Sequence, residues 1–69
     1  MSGIFYDPAS RRVHRVEGHP PASWSFVTHN LSAGVNQCRR IMREWLPTEE
    51  LFVVDWSVLE SPPPRRRSA

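Results

Sequence analysis

The sequence predicts a small α+β domain, β-β-β-α-β in order, with one amphipathic helix packed on a three- to four-stranded, mostly antiparallel sheet. Three observations lead there. Two β-forming runs, Ile4-Phe5-Tyr6 and Arg12 to Val16, flank an Asp-Pro turn. An apolar stripe at helical spacing runs from Leu31 to Trp45. A nine-residue stretch rich in valine and aromatics, Leu51 to Leu59, closes the apolar part of the chain.

Ile4-Phe5-Tyr6 ends at Asp7-Pro8-Ala9-Ser10. Asp at the first turn position accepts from backbone N–H groups ahead, and Pro at the second presets φ, so a type I turn is expected. Arg12-Val13-His14-Arg15-Val16 then mixes polar and β-branched residues as a half-exposed strand does, which completes a hairpin. Gly18-His19-Pro20-Pro21 breaks it, because proline donates nothing to a ladder. Trp24 to Thr28 reads as a third strand, with Trp24, Phe26 and Thr28 on one face.

The helix follows. Asn30, with Ser32 as competitor, is the expected N-cap, since its side chain can accept from a free backbone N–H. Leu31, Val35, Cys38, Met42 and Trp45 recur at alternating spacings of four and three, flanked by Ile41 and Leu46. Pro47 disfavours helical geometry at Leu46 and stops the run. Gly34 costs about 1 kcal/mol in a helix relative to alanine, which predicts a close approach there. In Leu51 to Leu59, Phe52, Val54, Trp56 and Val58 form an unbroken apolar face at period two, and Leu51, Val53 and Leu59 lie on the other. A helical alternative would use Leu51, Val54 and Val58. The valine and aromatic content favours a strand, placed centrally in the sheet or at a subunit contact. Residues 1–60 thus form one domain, and 61–69 (SPPPRRRSA) a disordered, proline- and arginine-rich tail.

The formal charge of +2 is misleading. It comes from nine arginines and no lysine against seven acids, and three of those arginines (Arg65, Arg66 and Arg67) belong to the tail. The remaining six arginines face all seven acids, a net of −1 for the domain. This argues against the whole fold as a nucleic-acid binder. Arginine without lysine suggests an arginine-biased coding background, such as that of a GC-rich bacterium or a phage. No run approaches 18 apolar residues, and the N-terminus lacks a charged start followed by an apolar stretch, so a cytoplasmic protein is expected.

Several chemistries lack their residues. One cysteine excludes an internal disulfide. His14, His19, His29 and Cys38 have no zinc-like spacing, so no metal is expected. Cys38 sits mid-stripe, where burial raises a thiol's pKa, and His29 would lie about 13 Å away along a common helix axis. Glu49-Glu50 follows Pro47 on an expected loop with no apolar pocket to shift either carboxyl. Phosphate-cradling glycine motifs are missing. The expectation is a non-enzymatic protein without cofactor.

What remains is an excess of oily surface. A domain near 60 residues buries only about 60% of its unfolded surface, and without a disulfide or metal its stability balance lies near zero. Three tryptophans and three phenylalanines are more than such a core readily encloses. Trp45 and Trp56 are assigned to the core, and Trp24 is the one expected at the surface. The expected function is a protein-interaction module, a bacterial or phage regulator or accessory protein that self-associates into a homodimer. Its expected interface is Trp24 with Leu51, Val53 and Leu59, rimmed by Arg39 and Arg43. The alternative is a nucleic-acid-binding regulator contacting phosphates through Arg11, Arg12, Arg15, Arg40 and the tail's Arg65, Arg66 and Arg67, with Tyr6 or Trp24 stacking on bases.

Overall fold

A computed structural model describes residues 2–61. The expected tail, with Arg65, Arg66 and Arg67, lies outside them from residue 62 onward. Three strands, β1 (Ser2–Asp7), β2 (Arg12–Glu17) and β3 (Ser25–Thr28), precede three helices, α1 (Val35–Met42), α2 (Thr48–Val53) and α3 (Ser57–Glu60). The α+β class holds: the sheet is antiparallel, in the order β2-β1-β3.

The hairpin turn forms as its residues dictate. The Asp7 carboxylate accepts from Ala9 N–H at 3.0 Å and from the Ser10 hydroxyl at 2.6 Å. Arg11 closes the turn in the left-handed region (φ 57°), and its carbonyl accepts from Asp55 N–H at 2.7 Å.

The central strand is β1 and not the last apolar run. Gly3, Ile4, Phe5 and Tyr6 are all buried because both faces of β1 are covered. Ile4 and Tyr6 join Val13 and Val27 beneath the helices, while Phe5 lies on the opposite face under Phe26, edge to face at 5.4 Å. Gly3 is where the backbone needs glycine. A Cβ there would stand 2.8 Å from the Thr28 carbonyl oxygen and 3.2 Å from the Phe26 ring. The expected close approach at Gly34 is absent: a Cβ there meets nothing within 4 Å, and Gly34 is simply the N-cap of α1.

Asn30 does not cap α1. Its Oδ1 accepts from Ser32 N–H at 3.0 Å, and its carbonyl accepts from Ala33 N–H, forming a turn that delays the helix to Val35. The core stripe is thereby shortened to Cys38 and Met42, fully enclosed, with Val35, Ile41 and Leu46 packed beside them. Trp45 falls beyond the helix end and is 41% exposed, its ring tilted against Tyr6 at 6.1 Å. It is not the core residue the periodicity suggests.

The expected fourth strand is the main correction. Leu51 to Leu59 forms α2 and α3, joined through Val54 to Trp56, with one parallel bridge between Asp55 and Arg12 in place of a ladder. Two local preferences outweigh the β propensity of the valines. Pro47-Thr48-Glu49-Glu50 is a helix start, with Pro47 as N-cap and both carboxylates in the first turn, where the helix dipole favours them. Farther on, Asp55 Oδ1 accepts from both the N–H (3.0 Å) and the hydroxyl (2.5 Å) of Ser57. That takes a donor any strand would have needed. Leu51, Val54 and Leu59 turn inward to complete one core with the sheet.

Candidate cationic cleft

The helical phase of α1 sends Cys38 and Met42 into the core and leaves Arg39, Arg40 and Arg43 exposed. In α2, Leu51 points inward, so Phe52, about 100° further round the helix, points out. Phe52 is 84% exposed, the most exposed of the large apolar side chains among the described residues. Between these helices lies a cleft of about 430 Å³ lined by Arg39, Arg43, Thr48, Leu51, Phe52 and Trp56. The Arg39 guanidinium sits over the Trp56 ring, 5.2 Å from its centroid. A smaller depression of about 310 Å³, lined by Asn36, Arg39, Arg40 and Arg43, shares Arg39 and Arg43 with the cleft.

The two arginine groups differ in what they face. On the hairpin, Arg11 pairs with Glu50 at 3.9 Å and Arg12 with Asp55 at 3.3 Å. Arg15 donates to the carbonyls of Leu31 (3.1 Å) and Ser61 (2.6 Å). Those three serve the fold. Among the described residues, no carboxylate lies within 4.0 Å of Arg39, Arg40 or Arg43.

No protein-family model, curated protein or solved structure matches this chain. The site is therefore read from its own chemistry. Cys38 is fully enclosed, and burial pushes its thiol pKa up, the opposite of what a nucleophile requires. The Asp55 carboxyl is held below its ordinary range, first by the Ser57 hydroxyl and N–H and then by Arg12, so it is committed to structure. Among the described residues, no group of three His, Cys, Asp or Glu side chains could hold a metal ion.

The expected interface is only partly assembled. Arg39, Arg43 and Leu51 do meet, but Leu51 (7% exposed) and Leu59 (1%) are core side chains and offer little surface. Val53 is exposed. Trp24 is half-buried and stacks on His14, with ring centroids 4.7 Å apart. Since Val13 faces the helices, strand alternation puts His14 and Trp24 on the opposite side of the sheet from the cleft. They belong to a second aromatic group with Phe5 and Phe26. Phe52, Trp56 and Thr48 are the cleft residues the strand reading missed. The signal that finds them is the Pro-Thr-Glu-Glu helix start, which fixes the phase of α2.

Proposed function

We propose that this protein is a non-enzymatic protein-interaction module that acts by docking a segment of a partner protein in the α1–α2 cleft. The observation that carries the reading is the contrast among the arginines: Arg11, Arg12 and Arg15 each have a partner within the fold, whereas Arg39, Arg40 and Arg43 have no carboxylate within 4.0 Å among the described residues, and Arg39 and Arg43 border a cleft that also exposes Phe52 and Trp56. Exposed Arg and aromatic side chains around a desolvated floor are the composition of interface hot spots. A small regulator or accessory protein works in this way, by occupying a partner's surface.

Photo-crosslinking tests it. A photoreactive phenylalanine analogue at Phe52 is expected to trap one contiguous segment of a partner protein in the source cell. The same analogue at Glu17, on β2, should not, and Arg39→Ala with Arg43→Ala should abolish the adduct. Equal adducts from both positions, or nucleic acid as the trapped species, would defeat the proposal.

A second reading, self-association, has its own support on the far side of the sheet. There Phe26 is 42% exposed on the same side of the sheet as the His14–Trp24 stack. Sedimentation at micromolar concentration decides it: a dimer weakened by Phe26→Ala supports this reading, and a monomer removes it.

A further inference from the structure

The cleft also carries the identity of its occupant, and this step rests on the protein-binding reading above. We infer that the docked segment is short and acidic, with one large apolar side chain flanked by carboxylates.

Charge sets the first requirement. Arg39 and Arg43 are one helical turn apart, about 6 Å along the axis, and Arg40 lies beside them. Of the domain's seven carboxylates, Glu50 and Asp55 pair with Arg11 and Arg12, and none of the others stands within 4.0 Å of Arg39, Arg40 or Arg43. Three neighbouring guanidiniums with no carboxylate within 4.0 Å among the described residues present paired N–H donors that match carboxylates in geometry as well as sign. Arg39 is already held over the Trp56 ring, so less side-chain entropy is lost when it is ordered by a ligand.

Shape and polarity set the second. At about 430 Å³ the cleft lies near the small end of ligand-sized pockets, which run from about 300 to 1,000 Å³. It has room for one or two large side chains, not for the whole apolar stripe of a helix. Leu51, Phe52 and Trp56 make the floor and lip apolar, so a purely acidic run would leave them unfilled. The occupant therefore brings an aromatic or leucine anchor between its acids.

The same features argue against two other occupants. Among the described residues a nucleic-acid strand would meet three arginines here, with Arg11 and Arg12 paired to Glu50 and Asp55, and affinity for phosphates scales with the number neutralised. A second copy docking by two-fold symmetry would set the same arginine-bearing face against itself.

Selection from a library of random twelve-residue peptides displayed on phage, against the full chain, tests the inference. Enriched sequences should carry Asp or Glu on both sides of a Trp, Phe or Leu. A synthetic peptide of the enriched sequence should bind at least tenfold more weakly to the Arg39→Ala, Arg43→Ala double variant. Phe52→Ala should weaken it too, whereas Arg11→Ala should leave binding nearly unchanged. All four positions are exposed, and far-UV circular dichroism verifies that each variant folds. Neutral or basic enriched sequences, no enrichment, or binding unaffected by the double variant would overturn the inference. A crosslinked partner segment at Phe52 with no acids would overturn the occupant's chemistry while leaving the interaction module standing. An oligonucleotide that displaces the peptide and is itself trapped at Phe52 would overturn both.

Discussion

Leu51 and Phe52 are adjacent, and replacing each by alanine discriminates sharply between the observed helix and a strand. In the helix, Leu51 is 7% exposed and belongs to the core, while Phe52 is 84% exposed and touches the cleft only at its lip. Truncating a buried leucine costs about 2–5 kcal/mol, and Leu51, at the edge of the core, should lie near the lower value. A substitution on an open surface stays within about 0.5 kcal/mol. A domain of this length has a total stability of only about 3–9 kcal/mol, at roughly 0.05–0.15 kcal/mol per residue. With about 4–8 °C of Tm per kcal/mol, Leu51→Ala should lower Tm by roughly 8–16 °C and Phe52→Ala by no more than about 4 °C. Circular dichroism melts and urea titrations measure both. Were the segment a strand with Phe52, Val54, Trp56 and Val58 inward, the order would reverse. A Phe52→Ala variant as destabilised as Leu51→Ala refutes the helical phase, and the cleft with it.

Three further outcomes follow from the same geometry. Gly3→Ala would force a Cβ to within 2.8 Å of the Thr28 carbonyl oxygen, a backbone atom that cannot rotate away. Overpacking of this kind costs about 1–3 kcal/mol, and an unchanged urea midpoint would show that β1 and β3 are less closely apposed. The Asp55 carboxyl is held below its ordinary range by Ser57 and Arg12, so its contribution to stability is present above the unfolded pKa of about 4 and is lost as pH falls through the lower folded value. Asp55→Asn should therefore be less stable than the native chain at pH 7, and the gap should narrow in urea titrations below about pH 4; a gap constant from pH 7 to pH 2 contradicts this. Cys38 is fully enclosed with its thiol pKa raised, so a thiol reagent should label it at the rate of unfolding, and immediate stoichiometric labelling of the native chain would place it at the surface.

Where the sequence was legible, the signals were local and consistent with one another. Asp7-Pro8 makes its turn with the hydrogen bonds its side chain implies, and the strands on either side of it form. The spacing of Cys38, Ile41 and Met42 is that of a helix against a sheet. Expectation and structure part where two local signals compete. Asn30 satisfies a cap's chemistry as well in a turn of its own, and nothing in the sequence fixes which it takes. In Leu51 to Leu59 the valines favour extended backbone, but the acidic helix start and the Asp55–Ser57 bonds favour short helices, and tertiary packing of Leu51, Val54 and Leu59 selects the latter. The central strand, apolar on both faces, is Ile4-Phe5-Tyr6 and not Leu51 to Leu59. The cleft depends on the phase of α2, so an error there moves Phe52 from lip to core and hides the site.

The surplus of apolar surface expected from length and composition is present, but the fold distributes it in a particular way. Among the described residues, Phe26, Trp45, Phe52 and Val53 are the exposed large apolar side chains, on three different segments. Phe26 and Trp45 each lean on a buried ring, Phe5 and Tyr6, so their exposure follows from sealing an edge of the sheet or core. Phe52 has no aromatic partner among the described residues. It also shares the cleft with Arg39 and Arg43, neither of which has a carboxylate within 4.0 Å among the described residues. Exposing a phenylalanine forgoes about 1.5–3 kcal/mol of burial, and clustering like charges adds repulsion. Neither cost improves the isolated fold. The docking proposed above would relieve both together, with an apolar anchor against Phe52 and carboxylates for Arg39 and Arg43.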